Sequence, residues 1–259
     1  MVMQSVSLGD TVTVTETVTE TGDGFSLLAE GIALPEGRVS LEQQAAESFF
    51  RYLGRPMPGL EIRLAKRVPA YAGLGGGSAD AAAVLRALNQ RAGEPFSPKE
   101  LARLGERVGS DVPYCVLGGT ALAEGRGEVL TPLAPLPRCW VVACKPDFPI
   151  STPELFAQAD RVKLRRRPDT ARLVAALEAG DLGGVARRMY NVFEDVLPAR
   201  LYTRVAEIKN DLIQCGALGA NMSGSGPTAF GLFDRLEAAQ EARACLAQRY
   251  RDTFLCETV

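Results

Sequence analysis

The sequence contains no histidine. This removes the side chain that most often serves as general base near neutral pH, and with it the commonest nitrogen ligand for transition metals. Acid–base chemistry must fall to Asp, Glu, Lys, Tyr or a bound metal. Net charge is also nearly absent: 29 Lys and Arg against 31 Asp and Glu leave a formal charge of −2. That is too little, and of the wrong sign, for a protein that grips nucleic acid by charge. The one basic run, Lys163 to Arg167 (KLRRR), reads as a solvated loop. No apolar run approaches the roughly 20 residues that cross a bilayer, and no signal peptide is visible. Neither nucleic acid nor a membrane is therefore expected as a partner. The six cysteines form no C-x-x-C pair, and most sit in apolar runs such as VVACKP, where a reduced cysteine behaves as a small hydrophobe. These exclusions leave a cytoplasmic enzyme or binding protein. Its 259 residues suffice for one large domain or two modest ones.

Strand and helix signals alternate along the chain. In TVTVTETV, Val12 and Val14 alternate with threonine, which predicts a strand; TGDGF reads as a turn and FSLLAE as a returning strand. Ser40 is placed to cap a helix over Leu41 to Tyr52, and LEIRLAKRV alternates as a half-exposed strand. SADAAAVLRALNQ predicts a strong helix with Ser78 near its N-cap. SPKELARLGERVG carries a capping box of Ser97 and Glu100 with Pro98 in the first turn, and Gly109 ends it. SDVPYCVLGGTALAEGRGEVL reads as a loop leading into strands, and RCWVVACKP as a buried strand. Two prolines make Pro146 to Pro149 the best linker candidate. After it STPELFAQ starts a helix, Asp169 to Cys215 is mostly helical, and ALGANMSGSGPTAFGLF reads as strand, glycine turn, strand. A last helix over RLEAAQEARACLAQRY and a strand at DTFLCETV close the chain. Intermixed strands and helices in both halves predict an α/β or α+β protein.

The richest stretch is PAYAGLGGGSADAAAVLRAL, residues 69 to 88. Four glycines within five residues open a helix. Glycine lets bare backbone N–H groups approach an anion, and the positive end of the helix adds to the attraction. The stretch contains no lysine before Ser78, so it is not a Walker loop, and GLGGGS meets the dinucleotide fingerprint only in its first two glycines. A glycine turn serving packing alone stays open from these residues.

PAYAGLGGGSADAAAVLRALN resembles the second motif of the GHMP kinases, P-x-x-x-G-L-G-x-S-[SA]. GSDVPYCVLGGTALAEGRGEVLTPL resembles the central segment of that family, CWVVACKPDFPISTPELF the strand and helix that follow, and NMSGSGPTAFGLF its third motif. The triple glycine is like that of the branch acting on a cytidine-diphosphate-linked methylerythritol in non-mevalonate isoprenoid precursor synthesis. The resemblance runs in order over residues 1 to 235. It implies an α+β, two-domain GHMP kinase fold: an N-terminal α/β ATP-binding domain over 1–147 and a C-terminal ferredoxin-like domain over 148–259. It implies ATP and Mg²⁺ as cofactors, and phosphorylation of the substrate's 2-hydroxyl.

The same resemblance implies residue roles. Pro69, Ala70, Tyr71, Ala72, Gly73, Leu74, Gly75, Gly76, Gly77, Ser78 and Ala79 would wrap the ATP phosphates. Ser78 would also reach Mg²⁺, since a hydroxyl is a hard ligand, although a simple N-cap explains it equally. Asp111 would be the general base; from the residues alone it is an ordinary turn aspartate. Ser223, Gly224, Ser225 and Gly226 would form a second glycine turn on the substrate side, or merely connect two strands. Thr152 and Phe156 would line a cytidine pocket, with Phe156 stacking on the base or else facing the core.

Two departures stand out. MVMQSVSLGD corresponds to the end of the block that the family opens with a P-A-K-x-N-L strand carrying its catalytic lysine; without that strand the N-terminal sheet is expected to show an open edge beside VTVTETV. Ser40 stands where the family has asparagine, so adenine contacts there are in doubt. Two other functions remain in competition at this level: an inactive nucleotide-binding remnant, and another GHMP small-molecule kinase acting on homoserine, mevalonate or a sugar.

Overall fold

The computed structural model describes residues 1–17, 24–30, 39–164 and 166–259. The turn expected at TGDGF falls mostly outside these, as does Arg165 of the basic run. The chain divides into two compact units. The first holds Met1, Gly9–Ala70 and Gly75–Thr131; the second holds Val2–Leu8, Tyr71–Leu74 and Pro132–Val259.

After a short strand β1 (Val2–Gln4), the first unit contains β2 (Thr11–Thr17), β3 (Phe25–Glu30), helix α1 (Leu41–Leu53) and β4 (Gly59–Ala65). It continues with α2 (Gly76–Arg91), α3 (Pro98–Glu106), α4 (Val112–Leu117), β5 (Thr120–Glu124) and β6 (Val129–Pro132). β3 runs antiparallel to β2, as a returning strand should, but β4 lies between them: the sheet order is β2-β4-β3. β4 pairs antiparallel with β2 and parallel with β3. A parallel pair needs a crossover, and α1 supplies it. β2 therefore lies at a sheet edge with β4 as its one neighbour among the described residues, as the sequence led us to expect.

Alternation sends one face of this sheet inward. Val12, Val14, Leu60, Ile62 and Leu64 meet Ala45, Ala46 and Phe49 of α1 and Ala81, Ala82, Val84, Leu85 and Leu88 of α2. The alanines of α1 and α2 keep that interface thin, so the helices pack close and α2's N-terminal turn is fixed by the core. Phe49 fills the gap beside Phe96 edge to face, with centroids 5.5 Å apart. Replacing so large a buried ring by alanine costs about 3–5 kcal/mol.

Two local readings change here. Val112–Leu117 is helical rather than a loop. Pro113 sits in its first turn, where a missing N–H costs nothing, and six residues are too few to show helical periodicity. Ser78 is not the N-cap of α2. Gly75 holds that position at φ 68° and offers no side-chain acceptor, so Ser78 stands inside the first turn. By contrast Ser40 caps α1 by accepting from Gln43 N, and the Ser97–Glu100 capping box of α3 is complete.

The second unit contains β7 (Trp140–Lys145), α5 (Thr152–Arg161), α6 (Thr170–Glu178), α7 (Leu182–Arg188), a 3₁₀ turn (Val192–Val196) and α8 (Ala199–Gln214). β8 (Gly219–Met222), β9 (Ala229–Phe233), α9 (Leu236–Ala247) and β10 (Asp252–Glu257) complete it. Its strands are antiparallel in the order β10-β7-β9-β8. This is a ferredoxin-like β-α-β-β-α-β plan with extra helices in its first crossover. Val142, Cys144 and Phe233 of the sheet pack on Val205, Ile208 and Leu212 of α8 and on Ala239, Ala242 and Leu246 of α9. β7 pairs with β9 and β10, and the longest segment of the second unit runs from Pro132 to Val259. Pro146 to Pro149 is the connection from β7 to α5 within that unit. Both architectures together are α+β. All six cysteines are free thiols, three of them buried. No helix among the described residues is long and apolar enough to cross a membrane.

Candidate active site

The expected site residues divide between the two units. Pro69, Ala70, Gly75 to Ala79 and Asp111 belong to the first; Tyr71 to Leu74, Thr152, Phe156 and Ser223 to Gly226 belong to the second.

In the first unit, α2 opens on bare backbone. Its N-cap Gly75 has no side chain, Gly76 and Gly77 are its first two residues, and its first turn carries no acidic residue. The N–H groups of that turn have no side-chain cap. A helix start of this kind attracts an anion through both its donors and its dipole. At Gly76 an added Cβ would lie 3.0 Å from Val68 Cγ1. A side chain there would press on Val68, so glycine suits the packing as well as the access.

Beneath this turn lies a charged cluster that the sequence reading did not single out. Lys66, at the end of β4, donates to Asp10 and to Asp80 Oδ2, the latter at 2.5 Å. Asp10 also accepts from the backbone N–H groups of Arg67 and Val68, at 2.5 and 2.8 Å. The Lys66 side chain is only 8% exposed and both carboxylates less. Burial pushes Asp80 up to about 6 against the pull of Lys66. For Asp10, burial acts the same way but is outweighed by Lys66 and the two amides, which hold its carboxyl below the usual range. The sequence signal was the segment D-T-V opposite L-A-K-R-V. Antiparallel pairing of Thr11 with Ala65 brings Asp10 and Lys66 together.

Asp111 occupies the N-cap position of α4, yet its side chain caps nothing. An ordinary turn aspartate accepts a nearby backbone N–H. The Asp111 carboxylate makes no hydrogen bond among the described residues, and its Oδ1 lies 3.4 Å from where a Cβ on Gly127 would stand. Burial, with no donor to offset it, raises its pKa. An unpartnered, half-buried carboxylate of this kind is suited to taking up a proton. Its neighbour Cys115 is pushed up to about 12, first by burial and then by the charge of Asp111, so that thiol is inert.

In the second unit, the Tyr71–Leu74 segment is moulded onto the second glycine turn. Gly73, at φ 72°, would place a Cβ 2.5 Å from Ser223 O and 2.7 Å from Gly226 O. Ser223 Oγ donates to Gly73 O at 2.8 Å, and Thr228 N donates to Ala72 O at 3.3 Å. Beside it Tyr71, 74% exposed, holds φ 53°, an uncommon conformation for a residue with a Cβ. The turn itself is held from behind by Asn191, whose amide donates to Met222 O and Gly224 O at 2.9 and 2.8 Å. Glu194 reinforces it by accepting from Met222 N at 3.1 Å and pairing with Lys209 at 2.5 Å. Asn191 and Glu194 carried no motif, so nothing in the sequence marked them.

Thr152 Oγ1 and Ser225 Oγ share a hydrogen bond of 2.7 Å, so two expected substrate residues meet. Phe156 is 53% exposed; Leu155 fills the core position instead. The Phe156 ring stands edge to face with Phe193, centroids 4.8 Å apart, which fixes its orientation. Its core-facing alternative is thereby set aside. Lys163, Arg166 and Arg167 are exposed in a segment without regular structure, as a solvated loop should be.

Mg²⁺ demands few protein ligands when phosphates supply the rest. Among the described residues no group of three Asp, Glu or Cys side chains could hold a metal ion. The Ser78 hydroxyl, in the first turn of α2 and without a hydrogen bond there, fits an ion that arrives with a nucleotide rather than one resident in a protein cage.

Comparison with known proteins bears directly on these features. Residues 40–119 match the family described as GHMP kinases N terminal domain, and residues 173–252 the family described as GHMP kinases C terminal. A protein of Pelotomaculum thermopropionicum named 4-diphosphocytidyl-2-C-methyl-D-erythritol kinase is 46% identical over 98% of this chain and 85% of its own length. One of the same name from Alkaliphilus metalliredigens is 38% identical over all of this chain and 87% of its own. The crystal structure of a 4-(cytidine 5'-diphospho)-2C-methyl-D-erythritol kinase superposes with a TM-score of 0.79 at 30% identity, covering 99% of this chain and 88% of that one. Homoserine kinase from Cytophaga hutchinsonii, at 21% identity and a TM-score of 0.75 over 88% of its chain, shares the fold. With this identity sustained along both units, the chain belongs to the 4-diphosphocytidyl-2-C-methyl-D-erythritol kinase family of GHMP kinases.

Proposed function

We propose that this chain transfers the γ-phosphoryl group of ATP to the 2-hydroxyl of 4-diphosphocytidyl-2-C-methyl-D-erythritol. The observation that carries this reading is the 46% identity to a relative of that name over 98% of the chain. The geometry of each unit agrees with the chemistry required.

Phosphoryl transfer needs little covalent work from a protein; it needs the phosphates held and the accepting oxygen activated. The glycine backbone at the start of α2 holds the phosphates. Bound Mg²⁺ would be held by Ser78 together with the nucleotide, and supplies positive charge against the phosphates. The 2-hydroxyl sits on the carbon that also bears the methyl group, so it is a hindered alcohol with a very high pKa. Asp111 accepts its proton as the oxygen–phosphorus bond forms. The raised pKa of Asp111 makes it a better proton acceptor than a solvated carboxylate, and no internal donor competes for its oxygens. In the second unit Phe156 presents a fixed, exposed ring on which the cytosine stacks, and the paired hydroxyls of Thr152 and Ser225 offer hydrogen bonds to the same ligand. A small charged metabolite as substrate fits a cytoplasmic enzyme. The test is ADP release coupled to consumption of that substrate; ADP release that does not depend on it refutes the assignment.

A further inference from the structure

The buried cluster beneath α2 has an unequal division of partners. Asp10 accepts from Lys66 and from two backbone amides. Asp80 accepts from Lys66 alone. The cluster holds two carboxylates and one ammonium, so with all three ionised its net charge is −1. It also stands close to the loop expected to hold phosphates: a Cβ added to Gly76, the first residue of α2, would lie 3.7 Å from Lys66 Nζ. Asp80 lies two residues beyond Ser78 on α2 and accepts from that ammonium. The other charged groups around Asp80 are Asp10 and Glu42 of α1, both acidic.

A carboxylate one turn into a helix favours the helix dipole but repels an anion bound at the helix start. A buried ammonium between them offsets that repulsion, and in a poorly solvated position it does so strongly. We propose that Lys66 and Asp80 act in opposition to set the affinity of the α2 glycine loop for polyphosphate, Lys66 raising it and Asp80 lowering it, with neither side chain touching the ligand. They are positioning residues that act through charge. The inference deepens the kinase reading and rests on it. It also states why the loop manages without a lysine of its own: the cation comes from the end of β4, three residues before Pro69.

The two residues predict shifts of opposite sign, which a merely structural role does not. Binding of a non-hydrolysable ATP analogue and of adenosine is measured by calorimetry on the full chain, as wild type, Asp80→Asn and Lys66→Met. Asp80→Asn should tighten the analogue by several-fold, up to about tenfold for a unit charge removed within a few ångströms of the phosphates. Lys66→Met should weaken it by a similar factor. Adenosine, which has no phosphate, should bind all three alike. Asp80→Asn replaces one carboxylate oxygen by an amide and keeps the shape, so it decides the matter even where Lys66→Met fails to fold. An unchanged or weakened analogue in Asp80→Asn, or equal shifts for analogue and adenosine, overturns the inference alone. A wild-type chain that binds neither ligand overturns the kinase reading as well.

Discussion

Ser223 donates its hydroxyl to the backbone carbonyl of Gly73, 2.8 Å away, although 150 residues separate them in sequence. The Tyr71–Leu74 segment and the 223–226 turn, which look like parts of separate motifs, are thus one structural object within the second unit. Gly73 cannot carry a side chain there, because a Cβ would fall 2.5 Å from Ser223 O.

This contact predicts a difference between two neighbouring glycines. Gly73→Ala meets both a left-handed backbone and a backbone clash, and should cost about 2–4 kcal/mol of stability. Gly75→Ala meets the same backbone preference at φ 68° but open space, and should cost about 1 kcal/mol. Denaturant titration of the two variants checks the order. Equal costs would show that the contact between Gly73 and the 223–226 turn is not maintained in solution.

Asp111 predicts a trade of stability for activity. Its pKa is raised in the folded protein, so folding keeps the proton on more readily than the unfolded chain does. Stability therefore falls as pH rises from the ordinary carboxylate range through the raised value, and the cost is fully present above it. Asp111→Asn removes that cost. The variant should be at least as stable as wild type at pH 7, while kcat falls by about 10²–10⁴. Thermal melts and single-turnover kinetics measure the two effects. A destabilised variant at pH 7 would mean that the carboxylate has a partner. The wild-type rate should fall with acidification at a pH above the usual aspartate range, because the base is lost as it protonates.

Phe156 predicts a selective binding defect. Half-exposed and touching Phe193, it contributes little to the core. Phe156→Ala should change stability by less than about 1 kcal/mol. It should raise KM for the cytidine substrate about tenfold or more, the worth of one base stack, and leave KM for ATP unchanged. Parallel rises in both KM values would assign the ring a structural role.

Asn191 predicts a defect of the second turn. Its amide satisfies Met222 O and Gly224 O, and its Oδ1 accepts from Phe193 N. Asn191→Ala should cost about 1–3 kcal/mol by leaving partly buried groups without partners. Asn191→Asp keeps the Phe193 contact but turns the donor into a second acceptor facing two carbonyls, and should be at least as harmful. Milder behaviour from aspartate in a denaturant titration would contradict this placement of the amide.

Much of this arrangement was legible in the sequence for local reasons. Capping by Ser40, the capping box at Ser97, the alternation of Leu60, Ile62 and Leu64 and the two glycine turns each depend on residues a few positions apart. What could not be read depends on pairing over distance. β4 inserts between β2 and β3 because α1 provides a crossover, and no local signal distinguishes that from a hairpin. The Lys66–Asp10–Asp80 cluster exists only once β2 and β4 are in register and α2 has folded over them. α4 was too short for periodicity, and the place of Ser78 depended on Gly75 adopting a left-handed cap. The partners of β7 were hidden for the same reason: it precedes the prolines that look like a linker yet pairs with strands that follow them.

The most direct test of the account is phosphoryl transfer by the purified full chain. ATP is supplied with 4-diphosphocytidyl-2-C-methyl-D-erythritol, and in parallel with homoserine or mevalonate, and the acceptor is analysed by mass spectrometry and phosphorus NMR. The account predicts ADP release only with the cytidine substrate, and a single new phosphomonoester on its 2-hydroxyl. Transfer to homoserine or mevalonate instead, or no new phosphomonoester on any acceptor while the ATP analogue binds, would contradict it.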